Sequence, residues 1–173
     1  KPRVAASIEV RSASEPYSNV ATIETGARGR ARTVMFSPTR LRAGAARGYQ
    51  LLAALGDGNA VIYEFDGRTL VERLPLRHGS LPGTAAAWSP DASKIATSSV
   101  GDKGKNKALV RLWSAEKSAE LADPKEYAAD VYDVSWSRRD QQFAIAEGDA
   151  RIMLWKDGKW LDHPGSRMLD DRY

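Results

Sequence analysis

Three stretches of this chain repeat one plan, and that repetition limits what the chain can fold into more than any bulk property does. Residues 31–63, 84–113 and 131–155 each read as an alternating strand closing on an aromatic residue and a serine, then a turn, a second strand, a polar turn and a third strand. The opening landmark is Phe36-Ser37-Pro38, then Trp88-Ser89-Pro90, then Trp136-Ser137-Arg138. The closing one is Ile62-Tyr63, Leu112-Trp113 and Leu154-Trp155. The aromatic-serine landmarks stand 52 and 48 residues apart and the closing aromatics 50 and 42. A period of about 40 to 50 residues holding several short strands marks a radially repeated antiparallel sheet.

Alternation and turn chemistry place the strands. The first copy predicts strands at 32–36, 49–55, 60–65 and 69–76; the second at 84–88, 94–98, 108–113 and 119–122; the third at 131–136, 142–146, 151–155 and 159–162. Residues 49–55 are apolar nearly throughout, as a strand buried on both faces requires. Gly56-Asp57-Gly58-Asn59 supplies a tight turn, since Gly and Asn tolerate positive φ. Ahead of the copies, 4–10 and 19–24 read as two strands, followed by a flexible Arg-rich connector at 26–31. The chain thus divides into half a blade (1–25), three blades (26–77, 78–125, 126–162) and a polar tail (163–173). The expected fold is all-β, a β-propeller with about three and a half four-stranded blades. A ring needs at least about four blades, so closure is expected from missing blades of a longer protein, a second copy or another chain.

Composition removes several function classes. The 173 residues include no cysteine, so disulfides, thiolate metal sites and cysteine nucleophiles are excluded, which fits an intracellular protein, cytoplasmic or nuclear. The longest apolar run, residues 51–55, is far too short to span a bilayer, and no membrane partner is expected. His78 and His163 have no ligand partner at recognisable spacing, so no metal or other cofactor is expected. The loop 102–107 lacks the terminal Lys-Ser/Thr leading into a helix that a phosphate-binding loop needs. Ser37, Ser89 and Ser137 recur at one blade position, as structural hydroxyls do, whereas a nucleophile would be singular. No catalytic residue is expected, and the chain does not read as an enzyme.

The stretches Trp88-Ser89-Pro90-Asp91, Ile95-Ala96-Thr97-Ser98, Val110-Arg111-Leu112-Trp113 and Asp149-Ala150-Arg151-Ile152-Met153-Leu154-Trp155 carry a further reading: in them the chain resembles the WD-repeat β-propeller family, over roughly residues 30–160. That family pins its blades with a His before the first strand, a Ser or Thr on the second, an Asp in the turn before the third and a Trp on the third. The resemblance implies these structural places for His78, Thr97 or Ser98, and Trp113 in the middle copy, with Asp102 displaced by the swollen loop. It implies them for Asp57 and Tyr63 in the first copy, and for Asp149 and Trp155 in the third, where Ala144 or Ala146 replaces the hydroxyl. Trp88 and Trp136 are read as structural aromatics of the opening landmark.

A propeller presents rim loops on a rigid body, so the expected function is a non-catalytic protein-interaction scaffold within a larger assembly. The net charge of +4 is uneven: residues 1–50 hold nine Lys/Arg against three Asp/Glu. Arg28, Arg30 and Arg32 precede a strand that Arg40, Arg42 and Arg47 follow, about 20 Å away, so the two clusters belong to opposite rims. The loops 26–32, 78–81 and 100–107 should share one rim, because each enters a first strand or joins a second strand to a third. That rim would offer Arg28, Arg30, Arg32, His78, Lys103, Lys105 and Lys107, offset nearby only by Asp102, to an acidic protein surface or peptide. The alternative is an RNA- or DNA-associated subunit binding phosphates through the same rim. Arg138-Arg139 beside Trp136 reads first as a charged turn, and second as a pair that stacks on a base or meets an acidic partner.

Overall fold

A computed structural model of the chain describes residues 6–13, 19–39, 48–78, 81–102, 107–149, 152–156 and 158–162. Strands β1 (Ser7–Arg11) and β2 (Asn19–Glu24) form a two-stranded sheet. Three four-stranded antiparallel meanders follow. The first is β3 (Ala31–Phe36), β4 (Tyr49–Leu55), β5 (Asn59–Phe65) and β6 (Leu70–Arg77). The second is β7 (Gly83–Trp88), β8 (Lys94–Ser99), β9 (Ala108–Ser114) and β10 (Lys125–Tyr127). The third is β11 (Val131–Trp136), β12 (Gln142–Glu147), β13 (Ile152–Lys156) and β14 (Lys159–Asp162). No helix among the described residues is long and apolar enough to cross a membrane.

The first strand of each meander carries the same irregularity. Its register shifts between Ala31 and Thr33, between Gly83 and Ala85, and between Val131 and Asp133. One extra residue at a constant place bends each strand alike, as a repeated bulge does. The common register makes positions 35, 87 and 135 equivalent, each just before a landmark aromatic.

Successive sheets stack face to face with one apolar layer between each pair. On β4, Leu51, Ala53 and Leu55 pack under β1 and β2, whereas Leu52 and Ala54 face the second meander. Period-two alternation in an all-apolar strand sends one side chain set to each layer, and burying a Leu such as Leu52 contributes about 1.5–3 kcal/mol. Ala85, Ala87 and Ala96 line the next layer against Val134, Phe143 and Ile145. Small residues on β7 let the sheets converge: a Cβ on Gly83 would lie 3.3 Å from the Leu55 carbonyl oxygen of the preceding blade.

Two segments differ from expectation. The fourth strand of the second meander is Lys125–Tyr127 rather than 119–122. Residues 119–121 keep a short contact with β9, with Glu120 opposite Trp113, Ser114 N donating to Ala119 O and Leu121 N to Leu112 O, both at 2.8 Å. The regular ladder resumes at Lys125, just past Pro124, which has no N–H to give. The segment 26–31 is not a loose connector, because Gly26–Arg28 forms a 3-10 turn and Thr25 Oγ1 donates to the Gly29 carbonyl at 2.6 Å. The start of the first expected strand, the loop 40–47 with its arginines, and the tail 163–173 lie outside the described residues.

Candidate partner-binding site

The turns that enter β3, β7 and β11 meet the second-to-third-strand turns of the same sheets at one rim. Gly56 N donates to Arg30 O and Asp57 N to Arg28 O, both at 3.0 Å, so the Arg-bearing loop is laced onto the β4–β5 turn. That turn is set by Asp57, whose carboxylate accepts from Asn59 N at 3.0 Å and Asn59 Nδ2 at 2.9 Å. At the next sheet Val100 N donates to Pro82 O at 3.2 Å. At the third, Asp130 accepts from Gly101 N through its side chain and from Gly148 N through its carbonyl, each at 2.7 Å.

This rim carries less free positive charge than its sequence suggests. Arg28 is paired with Glu72 at 2.7 Å and Lys107 with Glu126 at 2.9 Å. Asp57 and Asp130 also belong to it, so the basic residues are offset by more than Asp102. Arg30 and Arg32 are exposed and have no ion pair among the described residues. Lys103 and Lys105 lie outside the described residues.

His78 has a different place from the rest of the expected contact set. It is only 2% exposed, against the backbone of Thr97, with neither ring nitrogen in hydrogen-bond geometry among the described residues. Burial pushes its pKa down to about 4. A side chain so enclosed offers nothing to a partner at the rim. Beside it Trp113 Nε1 donates to Thr97 Oγ1 at 2.8 Å, which selects Thr97 over Ser98 as the hydroxyl of the middle copy. Tyr63 is buried in the layer under β1 and β2. In the third copy Trp155 stacks on Phe143 with centroids 5.3 Å apart, and Asp149 lies in the turn after β12.

The opposite rim holds an arrangement that sequence reading missed. Trp136 Nε1 donates to the Ala87 carbonyl at 3.1 Å, and Trp88 Nε1 to the Met35 carbonyl at 3.4 Å. Each landmark indole therefore hooks the equivalent position of the preceding blade. Below the hooks the serines close the hairpins: Gln50 N donates to Ser37 Oγ at 3.2 Å, Lys94 N to Ser89 Oγ at 2.9 Å and Arg139 N to Ser137 Oγ at 3.3 Å. Ser89 Oγ, with Ser93 N and Oγ, donates to Asp91; partial burial works the other way, but these bonds hold that carboxyl well below the usual range. Between the three hairpin ends lies a cleft of about 420 Å³. The signal available in sequence was the constant residue before each landmark aromatic, but its backbone carbonyl is the acceptor, and a carbonyl has no residue signature.

Among the described residues no group of three or more His, Cys, Asp or Glu is placed to hold a metal ion. The fold is similar to that of the Cps50 (Swd1) β-propeller domain of Myceliophteria thermophila, with a TM-score of 0.55 and 21% identity. The alignment covers 78% of this chain and 38% of that one, so the chain spans well under half of the domain it matches. No family model matches the chain, and no curated protein is significantly similar to it in sequence. A likeness at this identity carries the fold alone: the chain is all-β and forms part of a β-propeller, as the WD-repeat resemblance implied.

Proposed function

We propose that the chain is a non-catalytic protein-interaction platform of a larger assembly, and that its basic rim binds an acidic protein surface or peptide. One observation carries this reading: Arg30 and Arg32 are exposed, without a carboxylate partner among the described residues, on a segment fixed by backbone bonds to the β4–β5 turn. A guanidinium fork fits a carboxylate bidentately, and a loop already held in place loses little entropy on binding. Arg28 and Lys107, each tied to a glutamate, contribute less, and His78 is outside the contact set. Lys103 and Lys105 remain part of the proposal as neighbours of the same rim. Closure of the ring by missing blades, a second copy or another chain belongs to the same reading.

The test uses polyglutamate and a single-stranded RNA as probes, with the chain and its Arg30→Glu/Arg32→Glu variant. Polyglutamate affinity at low salt should fall about tenfold in the variant, with a shallower salt dependence. Unchanged affinity rejects the rim. A steep salt slope for RNA, with RNA bound far more tightly than polyglutamate, assigns the rim to nucleic acid instead.

A further inference from the structure

The cleft at the opposite rim lies where the three landmark turns converge, at the ends of β3, β7 and β11. Its walls are Met35, Phe36, Pro38, Pro90 and Trp136, and Arg138 is the one charged residue among the described residues that line it. Met35, whose side chain points to the second meander, is 40% exposed, so that part of the apolar wall is open to an incoming group.

The indoles and the landmark serines there are already committed. The Trp88 and Trp136 indoles donate to Met35 and Ala87 carbonyls. Ser37 Oγ donates to Thr39 O at 2.7 Å, Ser89 Oγ to Asp91 at 2.7 Å, and Ser137 Oγ accepts from Arg139 N. Arg138 forms no ion pair among the described residues. Among the described residues the cleft therefore presents an apolar wall, the exposed Ser135 and one guanidinium without an ion pair, Arg138.

The rings near the cleft are packed against other rings. Phe36 packs edge-on to Tyr49 at 5.8 Å and tilted to Phe65 at 6.4 Å. Trp136 packs against Phe143 at 4.9 Å and Trp155 at 6.2 Å. A methionine and two prolines suit an aliphatic side chain. A volume of 420 Å³ lies within the range of about 300–1,000 Å³ that small ligands fill, which suits a few side chains rather than a folded domain.

We propose that this cleft binds a short extended segment of a partner protein, in which an aliphatic side chain seats against Met35, Pro90 and Trp136 and a nearby carboxylate pairs with Arg138. It is a second contact site, on the rim opposite Arg30 and Arg32, and does not depend on them.

Fluorescein-labelled peptides in a Gly-Ser background, with Leu followed two positions later by Glu, Gln or Lys, test it by titration into the purified chain. The Glu peptide should bind about tenfold tighter than the Lys peptide at low salt. Arg138→Glu should reverse that order, and Met35→Glu should abolish binding of all three, both with the wild-type melting temperature. The Arg30→Glu/Arg32→Glu variant should bind as the wild type does, which separates this site from the basic rim. Equal affinity for the three peptides, no binding of the Glu peptide at millimolar concentration, or an order that follows Arg30 and Arg32 instead of Arg138 would each overturn the proposal. So would displacement of the Glu peptide by a single-stranded oligonucleotide in the wild type but not in Arg138→Glu, which would give the cleft to nucleic acid.

Discussion

His78 has changed sides between sequence and structure, and the change makes it a stability element. An imidazole that is 2% exposed and without a hydrogen-bond partner among the described residues is held neutral, because charging it there would strand a cation out of water. Its pKa falls from an ordinary 6.5 to about 4, chiefly through burial; the nearby Thr97 backbone opposes the fall, and Arg111 adds to it. Between those values the unfolded chain binds a proton that the folded chain refuses. The stability conferred by the neutral ring is therefore complete above pH 6.5, is lost as pH falls below it, and reaches its full loss below about 4. The linkage is worth about 3 kcal/mol at 1.4 kcal/mol per pH unit. Urea unfolding at pH 7 and pH 4 should show the wild type losing about 2–3 kcal/mol more than His78→Leu. Equal losses would place the acid sensitivity in the carboxylates.

At the scale of strands and sheets, what holds a blade to its neighbour is both the apolar layer and the indole hook. Trp136→Phe keeps an aromatic ring against Phe143 and Trp155 but removes the N–H that reaches Ala87 O. It should cost about 1 kcal/mol in denaturant unfolding with an unchanged m value. A reduced m value would mean that the third meander unfolds separately from the other two. The strands themselves were legible because alternation and turn residues are local: 49–55, 131–136 and 159–162 match their strands to the residue. The fourth strand of the second meander was not, since 119–122 shows strand-like residues yet Pro124 decides where the ladder resumes. The hooks join residues 49 and 53 apart through backbone carbonyls, which leave no mark on residue identity. The rim charge was misjudged for a related reason: Glu72 and Glu126, which neutralise Arg28 and Lys107, stand 44 and 19 residues away on outer strands.

Across the whole molecule, the repeated register lets equivalent positions of the three meanders be compared. Pairing makes Leu52, Ala96 and Ala144 equivalent, and likewise Ile62, Leu112 and Leu154, and Ala60, Val110 and Ile152. In the first two sheets these positions are buried, Val110 at 3% exposure, whereas on the outward face of the last sheet Ile152 is 51% exposed. Tyr132 and Leu161 are also exposed in that sheet. Among the described residues this face repeats two covered faces and is itself exposed, as an apolar docking face is. On the β1 side of the first meander, a groove of about 570 Å³ runs between β1 and the exposed Val34 and Phe36. The same substitution at equivalent positions separates a finished interface from an open one. Val110→Lys should cost about 3 kcal/mol or more, because it buries an unpaired charge between sheets. Ile152→Lys should change the unfolding free energy of the isolated chain by no more than about 0.5 kcal/mol. In sedimentation velocity it should also lower self-association, since the apolar face is the surface that copies of the chain would share. If Ile152→Lys destabilises the chain as much as Val110→Lys does, that face is already covered within one chain and the open-ring reading fails.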